Sequence, residues 1–277
     1  MKSQCLMLLL AVSSVSASAQ TVPEAEPASS RSGTPSFRPR DVFTLPVDFV
    51  GDGRRTLGAF PKNLGRSFIG VFSRNNVAPL LIGVVAAGTS SSFDRQVSID
   101  LRGQARGFST AASTAGGFTV MAPAALGLFA AGRFTHDTRL RAFSYDATQA
   151  LIVNGVYTSI FKSTFRRERP DGSNALSFPS GHTSSAFALA TVAEKHYGWK
   201  VGVPSYLAAS AIGFSRITNH RHYLSDVLAG ATLGVITARA VVRQNGEPVA
   251  GRQRSFSLGP MTDVSGAGLG LRGSLSW

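Results

Sequence analysis

The chain has 277 residues, 43% of them hydrophobic, with 28 Lys and Arg against 15 Asp and Glu, a formal charge of +13. That length supports one domain with appendages, and the excess of cations draws phosphate-bearing partners: small esters, anionic lipid head groups or nucleic acid. Zinc-finger cysteines and an aromatic-and-basic run are both missing, which sets nucleic acid aside as a partner. The single cysteine, Cys5, falls in a leader segment, so the mature chain has no disulfide and no thiolate nucleophile.

Residues 1–19 read as a secretory signal peptide. Lys2 supplies the positive start, Leu6 to Val12 the apolar run, and Ala17-Ser18-Ala19 a small-residue cleavage site before Gln20. The apolar run is shorter than the ~20 residues of a bilayer span, which favours a cleaved leader over a retained anchor. The expected location is therefore outside the cytoplasm, in the periplasm for a bacterial source. Residues 20–61 are rich in Pro, Ser, Gly and Arg without helical period, and are expected to be extended or partly disordered.

Residues 62–245 change character. Apolar segments of helical length alternate with Gly, Pro, Asn and Asp, predicting an all-α bundle with helices over 62–73, 76–90, 108–132, 138–166, 182–196, 203–214 and 222–243. Residues 107–132 are the one charge-free stretch clearly longer than ~20 residues, and Gly, Ser and Thr dilute it. With a mean hydropathy of +0.09, the sequence favours a soluble or surface-bound bundle, with an anionic membrane surface as a partner, over a chain made mostly of spans. Residues 246–277 form a C-terminal extension in which GLGLRGSLSW alternates as a strand does, one half of a β-hairpin.

Three clusters carry chemistry. Lys162 and Arg169 stand seven residues apart before Pro170, close to two helical turns, so both cations can project from one helix face and offer a point charge and a planar donor fork to an oxyanion. Pro179-Ser180-Gly181-His182 opens a helix, where free N–H groups and the positive dipole end cradle an anion. Ser180 can donate its hydroxyl there and His182 can protonate a leaving oxygen. In Ser215-Arg216 to His222 and Asp226, the last two are four residues apart, so the carboxylate can hold one imidazole nitrogen and leave the other to attack. Taken singly, each also reads as a basic helix end, a capped helix or a surface His/Asp pair.

Together the spacings resemble the signature of the type 2 phosphatidic acid phosphatase (PAP2) and vanadium haloperoxidase superfamily: Lys, six residues, Arg-Pro; Pro-Ser-Gly-His; Ser-Arg, five residues, His, three residues, Asp. Every fixed position is filled, over about residues 140–240. The resemblance implies a helical bundle and a phosphatase in which His222 is the nucleophile, Asp226 orients it, and His182 is the acid and later the base. It places Lys162, Arg169, Ser180, Gly181 and Arg216 around the phosphoryl oxygens and requires neither metal nor cofactor. The implied substrate is a phosphomonoester or pyrophosphate, with a lipid phosphate such as phosphatidic acid preferred for so basic and apolar a chain. The alternatives are a vanadium haloperoxidase using the same anion cage and a non-catalytic protein that binds anionic membranes. Arg166 and Arg167 read as a solvated helix face, with a basic mouth to the site as the alternative, Arg221 as facing substrate or solvent equally, and His136 and His196 as exposed or structural. His220-Arg221-His222 places its histidines on different sides of a helix, which disfavours zinc.

Overall fold

A computed structural model describes residues 52–246 and the backbone of 255–262 and 269–276. The signal peptide and nearly all of the expected extended segment lie outside the described residues. Helices α1 (Phe60–Gly70), α2 (Val77–Ser90), α3 (Asp94–Asp100), α4 (Arg106–Ala115), α5 (Phe118–Phe134), α6 (Thr138–Phe165), α7 (Gly181–Tyr197), α8 (Trp199–Thr218) and α9 (Leu224–Gln244) precede strands β1 (Ser255–Thr262) and β2 (Leu269–Ser276). The strands pair antiparallel, Ser255 opposite Ser276 through Thr262 opposite Leu269.

Six of the seven expected helices have one counterpart each. The exception is 108–132, which is two helices, α4 and α5, separated at Gly116-Gly117. Consecutive glycines carry the largest helix penalty short of proline, so the break falls there. The structure also adds α3, whose sequence DRQVSID has too few apolar residues to show a period.

The centre of the bundle is α7, packed against α6, α8 and α9. Its buried face is made of small residues, among them Ala186, Ala188, Ala190 and Val192, and α9 answers with Gly230 and Gly234. A Cβ added at Gly230 would lie 2.6 Å from the Ser180 carbonyl oxygen, and one at Gly234 would lie 2.2 Å from that of Ser184. The spacing of two glycines four apart therefore lets two helix backbones touch, and it fixes the start of α7 against α9. Gly230→Ala is expected to destabilise the fold by about 1–3 kcal/mol through overpacking. It should also lower any activity that depends on the Ser180-Gly181 turn, measurable as a lower Tm together with a lower turnover.

At the other end of α7, buried ions tie the segment before α1 to the bundle. Arg55 donates to both carboxylate oxygens of Asp146 at 3.0 and 2.9 Å, and Arg141 donates to Asp52 at 2.7 and 2.5 Å. Asp146 also meets His196 Nε2 at 2.8 Å and the Asn245 amide at 2.8 Å. His196 is thus a buried structural group, and the folded region reaches back from 62 to residue 52. His136 is exposed.

The outer surface does not fit a bundle facing water on all sides. On α2, Leu81, Ile82, Val84 and Val85 are 58–71% exposed, and Ile69 and Phe72 beside it are 79% and 71% exposed. Contiguous apolar faces of this kind mark membrane or partner contact. Among the described residues, Arg74–Asp100 and Leu224–Gln244 are long and apolar enough to cross a membrane, and a third span results if the bent pair Arg106–Ala115 and Thr119–Phe134 counts as one. The sequence hides the first of these because α2 alone is 14 residues, and only the 3-10 turn at Ser91–Phe93 joins it to α3.

Candidate active site

The three motifs meet where α6 ends, α7 begins, α8 ends and α9 begins. The end of α6 is set by Arg166, which turns left-handed at φ 44° and returns its N–H to the Lys162 carbonyl. Lys162 is therefore on the last turn of the helix and Arg169 is beyond it. This corrects the expectation of two cations on one helix face. Arg169 instead sits on a tight loop held by Arg169 N–H to Asn174 O at 3.0 Å, Gly172 N–H to Arg169 O at 3.0 Å and Ser177 N–H to Arg167 O at 2.9 Å. The loop brings Arg169 back towards Lys162, whose ammonium donates to the Leu176 carbonyl at 2.5 Å.

Ser180 starts α7 without capping it through its side chain. It is fully buried, its N–H donates to the Asp226 carbonyl at 2.9 Å, and its hydroxyl oxygen accepts from Thr183 at 2.9 Å. The Ser180 hydroxyl proton is left to be donated elsewhere. Gly181 and His182 follow with N–H groups in the first turn of the helix, and the Gly116-Gly117 break approaches His182 from the α5 side. Arg216, on the last turn of α8, is 7% exposed and reaches Ser113 of α4 with one guanidinium nitrogen. The Nε atoms of Arg169 and Arg216 are buried without a hydrogen-bond partner among the described residues.

His222 is 2% exposed. Its Nδ1 lies 2.6 Å from the Ser177 carbonyl oxygen and 3.9 Å from Asp226 Oδ2. A carbonyl only accepts, so Nδ1 carries the proton and Nε2 keeps its lone pair. The expected His–Asp contact at i, i+4 is thus replaced by His222 to Ser177. Asp226 takes the Ser177 hydroxyl at 2.5 Å, the Tyr223 N–H at 2.9 Å and Arg167 at 2.8 Å, so its carboxylate places the carbonyl that holds the imidazole.

Arg167 is the residue the sequence misjudged most. It is not a solvated cation: it bridges Asp226 to Asp94 at 2.7 Å and stacks over the Tyr223 ring, 4.3 Å from its centroid. Asp94 accepts in addition from the Ser225 N–H at 2.9 Å and hydroxyl at 2.5 Å. Arg166 is exposed, and Arg221 pairs with Asp171 at 2.9 Å. His220, at φ 58°, turns away to Ser98, with 3.1 Å between Nδ1 and Oγ. Among the described residues no group of three or more His, Cys, Asp or Glu side chains could hold a metal ion.

The electrostatics show that the cations converge. Burial, then Arg216, Arg169 and Lys162, pull the pKa of His182 down to about 4. Burial, then Lys162, Arg216 and Arg169, hold His222 well below its ordinary range. Lys162 itself is pulled down to about 8, first by burial and then by Arg169. Burial, then neighbouring guanidinium groups, lower the pKa of Lys162, Arg169 and Arg216, with Asp171 and Asp226 opposing. With the last two each keeping a buried Nε unpartnered among the described residues, the three make a centre that favours an anion.

Residues 146–249 match the model of the PAP2 superfamily. Over this segment the chain is similar to that superfamily. The chain is 50% identical over 78 residues to lipid A 1-phosphatase of Porphyromonas gingivalis, covering 27% of this chain and 18% of that protein. It is 40% identical over 82 residues to a probable diacylglycerol pyrophosphate phosphatase 1 of Schizosaccharomyces pombe, 24% of this chain and 29% of the relative. The matches thus span less than a third of these relatives. Among solved structures, a transmembrane PAP2 type phosphatidylglycerolphosphate phosphatase from Bacillus subtilis shares the fold, with a TM-score of 0.53, 21% identity, and 60% of this chain and 93% of that one covered. The PAP2 segment contains both catalytic-type histidines, whereas Asp94 and Ser113, which brace Arg167 and Arg216, lie ahead of it. No sequence signal marks those two. Ser177 stands just ahead of the second motif, two residues before Pro179.

A groove of about 800 Å³ opens from this centre. Lys162, Gly181 and His182 line one end, and Leu126, Leu151, Ile152 and Val156 of α5 and α6 line its length.

Proposed function

We propose that the chain is an exported, membrane-inserted phosphatase that takes the phosphate from a lipid phosphate and carries it as a phosphohistidine on His222. The observation that carries the lipid reading is the groove: an apolar trough that ends at the anion centre suits a molecule with a phosphate head and a hydrocarbon tail. The lipid phosphatases among the relatives agree with it, as do the apolar outer helices. The leader read in residues 1–19 supports export, with the periplasm as the location in a bacterium.

In this reading Lys162, Arg169 and Arg216, the Ser180 hydroxyl and the first N–H groups of α7 hold the non-bridging oxygens. The lone pair of His222 Nε2 forms a bond to phosphorus as the bond to the ester oxygen breaks, and His182 passes a proton to the departing oxygen. Water then attacks the phosphohistidine, giving its proton back to His182, and inorganic phosphate leaves. Asp226 acts through Ser177 and Arg167, keeping Nδ1 of His222 protonated and the ring aimed. Three fixed cations already supply the charge that a phosphoryl group needs, so no metal or cofactor enters the scheme.

Phosphate release from dispersed phosphatidic acid and from a soluble aryl phosphate tests this directly, with EDTA and orthovanadate added separately. Release that survives EDTA and stops with vanadate is expected. Absence of release, with halide oxidation once vanadate and peroxide are present, would replace it with haloperoxidase chemistry. The groove has its own test in Gly155, which lines it and whose added Cβ meets nothing within 4 Å. Gly155→Leu should fill the trough without strain and lower kcat/KM for the lipid about 10-fold, leaving the aryl phosphate unchanged. Equal losses on both substrates would remove the groove from substrate binding.

A further inference from the structure

A second concavity, about 400 Å³, lies at the opposite end of the bundle and is lined by Ser73, Asn75 and Asn76 from the α1–α2 turn, Lys195 from the last turn of α7, and Arg239 and Arg243 from the last turns of α9. Arg239 is thirteen residues along α9 from Asp226, roughly 20 Å of helix, so the pocket is remote from the catalytic-type centre. Lys195 faces Glu194 at 3.5 Å, while Arg239 and Arg243 have no carboxylate partner among the described residues. Asn75, with its amide turned to satisfy both groups, presents its carbonyl oxygen to Arg243.

The position says what such a pocket is for. The apolar run Arg74–Asp100 begins there and Leu224–Gln244 ends there, so in a bilayer both reach the water boundary at this level. Ile69 and Phe72, 79% and 71% exposed, sit beside the polar lining and offer apolar surface to acyl chains. Basic pockets between helices at a membrane boundary take acidic lipid head groups, and a guanidinium fork matches a phosphate.

We propose that Lys195, Arg239 and Arg243 bind the phosphate of an anionic glycerophospholipid in the leaflet opposite the catalytic-type centre. The inference rests on the membrane-inserted reading and is independent of the catalytic one. The bound lipid is a phosphodiester that stabilises the fold and is not turned over.

The test uses the full chain in nonionic detergent with orthovanadate present to occupy the first anion centre. Thermal unfolding is followed on titration with phosphatidylglycerol, with phosphatidylcholine, and with inorganic phosphate. Phosphatidylglycerol alone should raise the midpoint of the wild type, and Arg239→Gln with Arg243→Gln should weaken that response about 30-fold in lipid concentration while aryl phosphate hydrolysis without vanadate is retained. An equal response in wild type and variant overturns the site. An equal response to inorganic phosphate overturns the lipid as its occupant. If the double variant does not fold, Arg239→Gln alone should show a partial loss, and an unchanged response there also overturns the proposal. Failure of hydrolysis in the wild type would strike the catalytic reading and leave this comparison of unfolding midpoints intact.

Discussion

His222→Ala is expected to lower kcat/KM by at least about 10⁴-fold on every phosphate substrate, because in the proposed mechanism it removes the atom that bonds to phosphorus. The loss should appear without unfolding. His222 contributes one side-chain hydrogen bond, to the Ser177 carbonyl, and Ser177 remains held by its N–H to Arg167 O and its hydroxyl to Asp226. A purified variant with native helix content and no turnover is the predicted outcome. Wild-type turnover in this variant would remove His222 from the chemistry.

His182→Ala should behave differently, and the difference identifies its role. Its loss should cost about 10²–10⁴-fold where the leaving group is a poorly acidic alcohol, as in a lipid phosphate. The cost should be much smaller for an aryl phosphate whose oxygen leaves without a proton. The pH dependence follows from the local charges. With its pKa pulled down to about 4 by burial, Arg216, Arg169 and Lys162, His182 is neutral in the empty site at pH 7. The transferred proton therefore arrives with the substrate, whose monoanion loses it with a pKa of about 6, or is stabilised on His182 once the phosphate charge offsets the cations. The sign is then fixed: kcat/KM should fall as pH rises above about 6. On the acid side it should hold until His222 protonates, well below its ordinary range. A profile that rises from pH 6 to 8 would contradict this assignment, as would equal losses on alkyl and aryl phosphates in His182→Ala.

What the sequence shows and what it hides divide along physical lines. The candidate site residues Lys162, Arg169, Ser180, Gly181, His182, Arg216, His222 and Asp226 stand in three motifs of fixed spacing, and the structure brings together the elements that bear them. The route by which Arg169 arrives was not legible. The expected helix 138–166 ends within one residue of α6, but the left-handed Arg166 and the loop that returns Arg169 are visible only in the backbone. Arg167 looked like one more exposed cation because both carboxylates it joins, Asp94 and Asp226, become its neighbours only through tertiary packing. The membrane-like surface was hidden because α2 alone is short and α5 carries Gly and Pro123, whereas the apolar faces become continuous only when the helices are assembled. Gly230 and Gly234 carried no reading in the sequence, and their role shows only where they meet the Ser180 and Ser184 backbones.

The central claim is the covalent step, and peptide mapping tests it most directly. Wild-type protein is mixed with phosphatidic acid, quenched within the first turnovers under alkaline denaturing conditions, which preserve a phosphorus–nitrogen bond, and digested for mass spectrometry. The account predicts one phosphoryl group on His222, absent from His222→Ala. Turnover with no labelled residue, or with the phosphoryl group on another side chain, would contradict it.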